Sequence, residues 1–366
     1  MNGVIGFCAI FCLVACAHCF AAPPDAASIP WPALPEADGE VMISAQEWPF
    51  EPGPREVKVY LRYPGGRIEN VTGVTGLMLT LHNWGGTGYV GTADPERVTE
   101  RYNVIAIGVD YLQSGPYEDE DRAKAPYDFG YLQALDALRA LYYVGHALDA
   151  KAIGYARGRI YCTGGSGGGN VTLMANKLAP RTFACAVDMC GMAKLADDIA
   201  YGIPGRTRLN AGYSRDAASA AYLAPDAQAL RFVGHPDHAR IMKKLGNTAK
   251  LIVIHGVDDP SCPCEDAKEM VENLQAAGLD VEPHYVTPAE VDGTVFTSTG
   301  HAFGDRTLSL FRVADGYLTP GSPSLLVREG PSDFELRDAE VRYPTPNGAY
   351  VISYETGYPI GRFVVK

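Results

Sequence analysis

A serine held among glycines, Gly164-Gly165-Ser166-Gly167-Gly168, closes a short apolar run, Arg159 to Thr163, and opens a helix-like one, Asn170 to Leu178. Strand, sharp turn and helix in that order constrain this chain more than any other feature in it. A G-x-S-x-G placed there predicts a nucleophile elbow: the serine takes a strained backbone conformation and presents Oγ at the carboxyl end of a sheet. Neighbouring side chains would clash, hence the flanking glycines. A phosphate-binding loop is the competing reading. It fails because the run continues Gly168-Gly169-Asn170, with no lysine at Walker spacing.

A nucleophilic serine needs a base, and the base needs an orienting carboxylate. Lys250 to Ile254 reads as a buried strand and runs into His255-Gly256-Val257-Asp258-Asp259. Further on, Ser298-Thr299-Gly300-His301-Ala302-Phe303 places a loop histidine before a helix-like stretch. Ser166, Asp259 and His301 therefore follow one another in the chain order Ser, acid, His, with Asp258 competing for the place of the acid. Upstream, the apolar strand Leu77 to Leu81 is followed by His82-Asn83-Trp84-Gly85-Gly86, a loop positioned to supply one oxyanion-hole N–H. Gly167, the residue after the serine, supplies the other. Trp84, Tyr89 and Tyr111 give the site an aromatic surround and are the expected substrate contacts. His82 and His255 each end a strand and read as bracing groups. His235 and His238 lack accompanying carboxylates or cysteines, so they read as solvated surface rather than a metal site.

Together these motifs resemble the α/β-hydrolase superfamily over roughly residues 40–318. Within it, Gly-Gly-Ser166-Gly-Gly-Gly followed by a helix and Ala184-Cys-Ala-Val-Asp188 looks most like prolyl-oligopeptidase-type catalytic domains and related carbohydrate and polyester esterases. The resemblance implies a mostly parallel, doubly wound sheet with helices on both faces. Its His-Gly-x-x-Asp pattern points to Asp259 as the acid. Asn83 stands where the family loop has glycine, and by position the Trp84 N–H is the favoured donor.

The alternation of apolar runs agrees with that architecture. Val41 to Glu47 and Glu56 to Arg62 alternate as antiparallel edge strands. Glu96 to Tyr102 reads as a helix, Asn103 to Tyr111 as a strand, and Tyr127 to His146 as a helix with apolar residues at helical spacing. Phe183 to Met189 and Val281 to Val286 read as later strands. Residues 192–248 exceed the minimal connection and read as a cap insertion over the site. Residues 319–366 read as a β-rich extension, with strands at Ser324–Arg328, Phe334–Arg337, Val341–Tyr343, Tyr350–Tyr354 and Arg362–Val365, and a hairpin turn at Asn347-Gly348.

Residues 4–16 are apolar and uncharged, and small residues follow before Pro23-Pro24. This reads as a signal peptide over residues 1–22, cut after Ala21 or Ala22, then an exposed leader over 23–39. Leu13-Val14-Ala15-Cys16 also resembles a lipobox, which would tether the chain by a lipid at Cys16. The expectation is therefore an extracytoplasmic protein, secreted or periplasmic, or a lipoprotein, with no transmembrane segment. Of nine cysteines, Cys162, Cys185, Cys190, Cys262 and Cys264 lie beyond that segment. Adjacent strand ends predict a disulfide from Cys190 to Cys262 or Cys264. A formal net charge of -12 without a Lys/Arg run excludes nucleic acid as an expected partner.

The resemblance, export and the aromatic surround favour a secreted serine esterase that cleaves a carboxylic ester (EC 3.1.1) through an acyl-enzyme, small or polymer-linked, with no metal or organic cofactor. The alternatives are a serine peptidase of prolyl-oligopeptidase type and a non-catalytic binding protein of the same fold.

Overall fold

Alternation of side chains along the strands decides how the sheet is buried. Leu77, Leu79 and Leu81 face one core cluster while Met78 faces the other. Leu251 and Val253 likewise oppose Ile252 and Ile254. Period-two alternation with both faces apolar is what a sheet covered by helices on both sides requires. The computed structural model describes residues 30–116, 120 and 124–366. The expected signal segment, Cys16 and residues 23–29 of the expected leader lie outside the described residues; the rest of that leader is not exposed throughout, because Leu34 is buried and Trp31 stacks on Tyr143.

The central sheet has eight strands: β1 (Gly39–Ala45), β2 (Arg55–Arg62), β3 (Gly76–Leu81), β4 (Val104–Asp110), β5 (Ile160–Gly165), β6 (Cys185–Met189), β7 (Lys250–Gly256) and β8 (Val281–Val286). They pair in the order β1-β2-β4-β3-β5-β6-β7-β8. β1 and β2 pair antiparallel, as do β2 and β4; every later pairing is parallel. This is the expected fold class, a mostly parallel sheet of the α/β-hydrolase kind.

Helices α1 (Pro95–Tyr102) and α8 (Arg306–Leu318) cover one face; α2 (Tyr131–Ala150) and α3 (Gly167–Leu178) cover the other. The second of these helices starts four residues later than its apolar spacing suggests. Phe129 and Gly130 take left-handed backbone conformations, with φ 56° and 91°. Gly130 N–H donates to Gln133 Oε1 at 2.8 Å, which fixes the start. Residues 127–129 are thereby turned toward the long insertion, where Tyr127 and Phe129 join its core.

The insertion after β6 carries α4 (Asp197–Tyr201), α5 (Pro225–Leu230) and α6 (Pro236–Lys244). Its apolar cluster includes Met192, Leu195, Ile199, Leu223 and Cys262, with Trp84 packed against it. Arg206 pairs with Asp198 and Asp266, and Thr207 Oγ1 donates to the Ser261 carbonyl at 2.6 Å. The insertion is thus fastened to α7 (Cys264–Ala276) and to the loop before it.

The C-terminal stretch forms a separate three-stranded antiparallel sheet, β9 (Glu340–Thr345), β10 (Gly348–Ser353) and β11 (Ile360–Val365). The Pro346-Asn347 hairpin joins β9 to β10, with Thr345 opposite Gly348. Gly348 serves packing rather than turn geometry: a Cβ there would lie 2.3 Å from the Val364 carbonyl oxygen. The expected strands at 324–328 and 334–337 are irregular instead: the Leu326 N–H donates to the Tyr317 carbonyl, while those of Glu335 and Leu336 turn back to the Ser332 carbonyl. Arg328 N–H donates to the Gly158 carbonyl, and Asp333 is held by Arg181 and Thr182. Two tyrosines bolt the small sheet to α3, with Tyr343 donating to the Lys177 carbonyl and Tyr354 to that of Leu178. His238 is another correction: it is buried, not solvated, and its Nε2 lies 2.8 Å from the Pro344 carbonyl oxygen. Burial pushes its pKa down to about 2, so it is a neutral packing group. Among the described residues no helix is long and apolar enough to cross a membrane.

Candidate active site

The end of β5 passes into α3 through Ser166, whose φ of 55° and ψ of -116° lie outside the regions L-residues ordinarily occupy. The strain holds because the surroundings leave no alternative. A Cβ on Gly164 would strike Gly168, and one on Gly168 would lie 2.1 Å from the Leu81 carbonyl oxygen. Ser166 is half-buried while its neighbours from Gly164 to Gly169 are buried. Its N–H donates to the Met189 carbonyl at 2.9 Å, fixing the turn against the end of β6.

The acid lies two strands along the same edge. Asp259 Oδ2 sits 2.7 Å from His301 Nδ1, with the Asp259 side chain fully buried and the His301 side chain 26% exposed. Asp259 Oδ1 accepts N–H bonds from Ser261 at 2.8 Å and Cys262 at 2.9 Å. Burial opposes the charged carboxylate, yet His301 and these two donors together outweigh it and hold the Asp259 pKa below its ordinary value. Asp258 faces outward and accepts from Thr299 Oγ1, so the geometry gives the acid's place to Asp259. His255 is buried, with Nε2 on the Cys262 carbonyl at 2.7 Å; it braces the acid loop.

What brings His301 to the serine is a residue the sequence reading passed over. Arg306 Nη1 donates to the Met189 carbonyl at 3.2 Å, the oxygen that also accepts Ser166 N–H. Its Nη2 donates to the His301 carbonyl at 3.1 Å. One guanidinium therefore ties the histidine loop to the elbow. A cation in the first turn of a helix is disfavoured by the helix dipole, and that was the available signal. Gly256 is the second fastening: a Cβ there would lie 2.3 Å from the Thr299 carbonyl oxygen and 2.5 Å from that of Gly300. The Ser166 hydroxyl has no hydrogen-bond partner among the described residues, so the serine–histidine leg is open in this structure. Catalytic hydrogen bonds are often loose before substrate binds.

Trp84 meets the elbow from the other side. A Cβ on Gly167 would lie 2.5 Å from Trp84 N, so the two backbone segments touch beside the serine. The Trp84 ring stacks on Tyr127 at 3.7 Å with 5° between planes, and Tyr127 N–H donates to the Ala211 carbonyl of the insertion. Tyr111 and Tyr89 are different. Tyr111 is fully buried, stacks on His82 and gives its hydroxyl to the His82 carbonyl. Tyr89 lies over Gly108, whose missing side chain makes room for the ring, and its hydroxyl faces the Ala106 carbonyl. Tyr111 thus buttresses the loop from the sheet side, whereas Tyr89 is half-buried with its ring against Tyr60.

The expected disulfide is absent: the five cysteines from Cys162 to Cys264 are free and buried. Cys190 instead borders the acid. Its Sγ, a carboxylate oxygen of Asp259 and a ring nitrogen of His301 lie within 4.8 Å of one another, a set that could hold a metal ion. Burial raises the Cys190 pKa and disfavours the thiolate a metal requires. Beneath the elbow, Asp188 accepts from Gly191 N–H at 2.9 Å, while its Oδ2 is buried without a partner. Burial pushes its pKa up to about 7.

Residues 122–355 match the family described as Protein of unknown function (DUF2920). The chain belongs to that family. Among curated proteins nothing matches. Among solved structures, the chain is similar to the Pyrococcus horikoshii acylaminoacyl peptidase, at 14% identity and a TM-score of 0.51 over 75% of this chain and 40% of that one. It is also similar to a Mycobacterium tuberculosis puromycin-hydrolyzing peptidase, at 18% identity and a TM-score of 0.50 over 75% of this chain and 40% of the other. A third is Porphyromonas gingivalis dipeptidyl peptidase 4, at 13% identity and a TM-score of 0.52, covering 76% of this chain and 35% of that one. The chain spans 40% or less of the length of these proteins. What the likeness establishes is the α/β-hydrolase fold.

Proposed function

We propose that this protein is a serine hydrolase that works through an acyl-enzyme on Ser166. The observation that carries the reading is the strained backbone of Ser166 at the edge where the His301–Asp259 pair is tied down. Strain of that kind costs about 1–3 kcal/mol and persists where surroundings over-determine it, characteristically at functional sites. In the proposed reaction His301 takes the Ser166 hydroxyl proton as Oγ attacks an acyl carbonyl. Asp259 holds the ring with Nδ1–H toward the carboxylate and stabilises the imidazolium. The N–H groups of Gly167 and Trp84 receive the oxyanion. The proton then passes from His301 to the leaving group, and water repeats the sequence on the acyl-enzyme.

For the scissile bond, the peptidase reading has better support than the ester reading. The three structures of like fold all carry peptidase names. The ester reading leaned on Trp84, Tyr89 and Tyr111 as an aromatic surround, and of these Tyr111 is buried against His82. The surface that remains beside Ser166 is Trp84 on Tyr127 under the insertion, which supports an apolar or aromatic side chain next to the cleaved bond. Export is proposed from the N-terminal apolar run alone.

The test is a fluorophosphonate probe on the full chain and on Ser166→Ala, followed by matched aminoacyl p-nitroanilides and p-nitrophenyl esters. Labelling lost in Ser166→Ala, with anilide turnover, is the expected result. Ester turnover alone would return the esterase reading, and no labelling of either protein would leave a binding protein.

A further inference from the structure

A cavity of about 320 Å³ opens at the opposite edge of the sheet from Ser166. Leu77, near the start of β3, and Ile160, the first residue of β5, form its floor. Five residue steps along β5 separate Ile160 from Gly165, about 17 Å at the rise of a strand. The space is therefore distinct from the elbow. Its volume lies at the small end of the range for small-molecule sites.

Its walls are aromatic and charged, with three arginines against the two carboxylates of Asp149 and Glu335. Tyr142 of α2 meets Phe334 edge to face at 5.8 Å, and Tyr155 closes another side. Arg157, Arg328 and Arg337 line the same space. Arg157 is neutralised by Asp149 and lies over Tyr155 at 4.9 Å. Arg328 is not neutralised in the same way. Its side chain is only 3% exposed, and the nearest carboxylate, Glu335, is 3.9 Å away. Glu335 is already engaged by the N–H and hydroxyl of Ser332. Arg328 gives Nη1 and Nη2 to the carbonyls of Gly330 and Arg157, and its Nε–H is buried with no acceptor. Arg337 is exposed at the rim and makes no ion pair among the described residues. A buried guanidinium N–H without an acceptor is costly, and a planar carboxylate is the group that matches its fork.

We propose that this cavity binds a small aromatic carboxylate. The ring lies among Tyr142, Tyr155 and Phe334, and the carboxylate meets Arg328 and Arg337.

Isothermal titration of the full chain with 3-phenylpropanoate, its neutral amide and inorganic phosphate tests this. The acid should bind saturably, the amide about tenfold more weakly or worse, and phosphate not at all. Arg337→Gln, an exposed change that leaves the fold alone, should weaken the acid about tenfold. Phe334→Ala should weaken it as well. Covalent phosphonylation of Ser166 should leave binding unchanged, which separates this site from product binding at the elbow. No saturable binding, equal binding of acid and amide, phosphate binding in place of the acid, indifference to Arg337→Gln, or loss on blocking Ser166 would each overturn the proposal.

Discussion

At the scale of single residues, two buried carboxylates in and under the site respond to pH in opposite senses. Asp259 has a folded-state pKa below its ordinary value, because His301 and two backbone donors outweigh its burial. Its contribution to stability is present above the ordinary carboxylate value, near ~4, and is lost as pH falls through its own lower value. Asp259→Asn should lower turnover at pH 7 by about 10⁴-fold, by favouring the wrong imidazole tautomer, and should remove this acid-side loss of stability from the melting profile. Unchanged turnover would move the acid's role to Asp258. Asp188 is the reverse case, since burial raises its pKa to about 7. Between ~4 and ~7 the folded state holds a proton that the unfolded chain has released, so stability falls as pH rises through that window. Melting temperatures of Asp188→Asn across that range should show a flatter profile than wild type; parallel profiles would mean that Asp188 titrates normally.

Elements place these residues, and here glycines and one arginine matter more than the side chains that react. Gly256→Ala would put a Cβ 2.3 Å from the Thr299 carbonyl oxygen. It should destabilise the protein by about 1–3 kcal/mol in a denaturant titration and displace the histidine loop. Arg306→Met should cut kcat by about 100-fold with little change in KM, because it releases His301 from the elbow without touching substrate. Arg306→Lys should restore part of the loss through the bond to the Met189 carbonyl; an equal fall in both variants with lost stability would reduce Arg306 to packing. The strands that carry the site were legible because each is a short, nearly continuous apolar run buried on both faces. Arg306 was not legible, because its two acceptors are the carbonyls of Met189 and His301, one of them 117 residues away. Residues 324–328 and 334–337 read as strands for an equally physical reason. Both carry apolar residues at strand-like spacing, but their backbone N–H groups go to the Tyr317, Gly158 and Ser332 carbonyls, and no neighbouring strand pairs with them.

For the whole molecule, the hydrolase body and the C-terminal sheet share one core: Val341, Tyr343, Ile352 and Tyr354 sit in the same cluster as Leu135 and Leu178. Removing residues 319–366 would uncover α2 and α3 and leave the Lys177 and Leu178 carbonyls without their tyrosine donors. Burial of that many apolar side chains is worth about 1.5–3 kcal/mol each, against a total stability of only about 5–15 kcal/mol. The truncated chain should therefore lack a cooperative melt by circular dichroism. A sharp transition at the wild-type temperature would show the extension to be a separate module. The insertion is joined just as firmly: Arg231 pairs with Asp128, Lys177 donates to the Leu230 and Phe232 carbonyls, and Leu230, Val233 and Met242 sit in that same core.

Sequence alone determined the chain order of the sheet's strands and the helices between them, the elbow turn at Ser166, and that an acid of the Asp258-Asp259 pair and then His301 follow it, since each is written in local pattern: apolar runs, a glycine-walled turn, an acid or histidine just past a strand. Tertiary structure decided which of two adjacent aspartates turns inward, that Tyr111 is buried against His82, that the cysteines stay apart, and that Arg306 joins two loops. Those outcomes depend on which backbone atoms come within hydrogen-bond reach across the fold, and no local pattern records a distance through space.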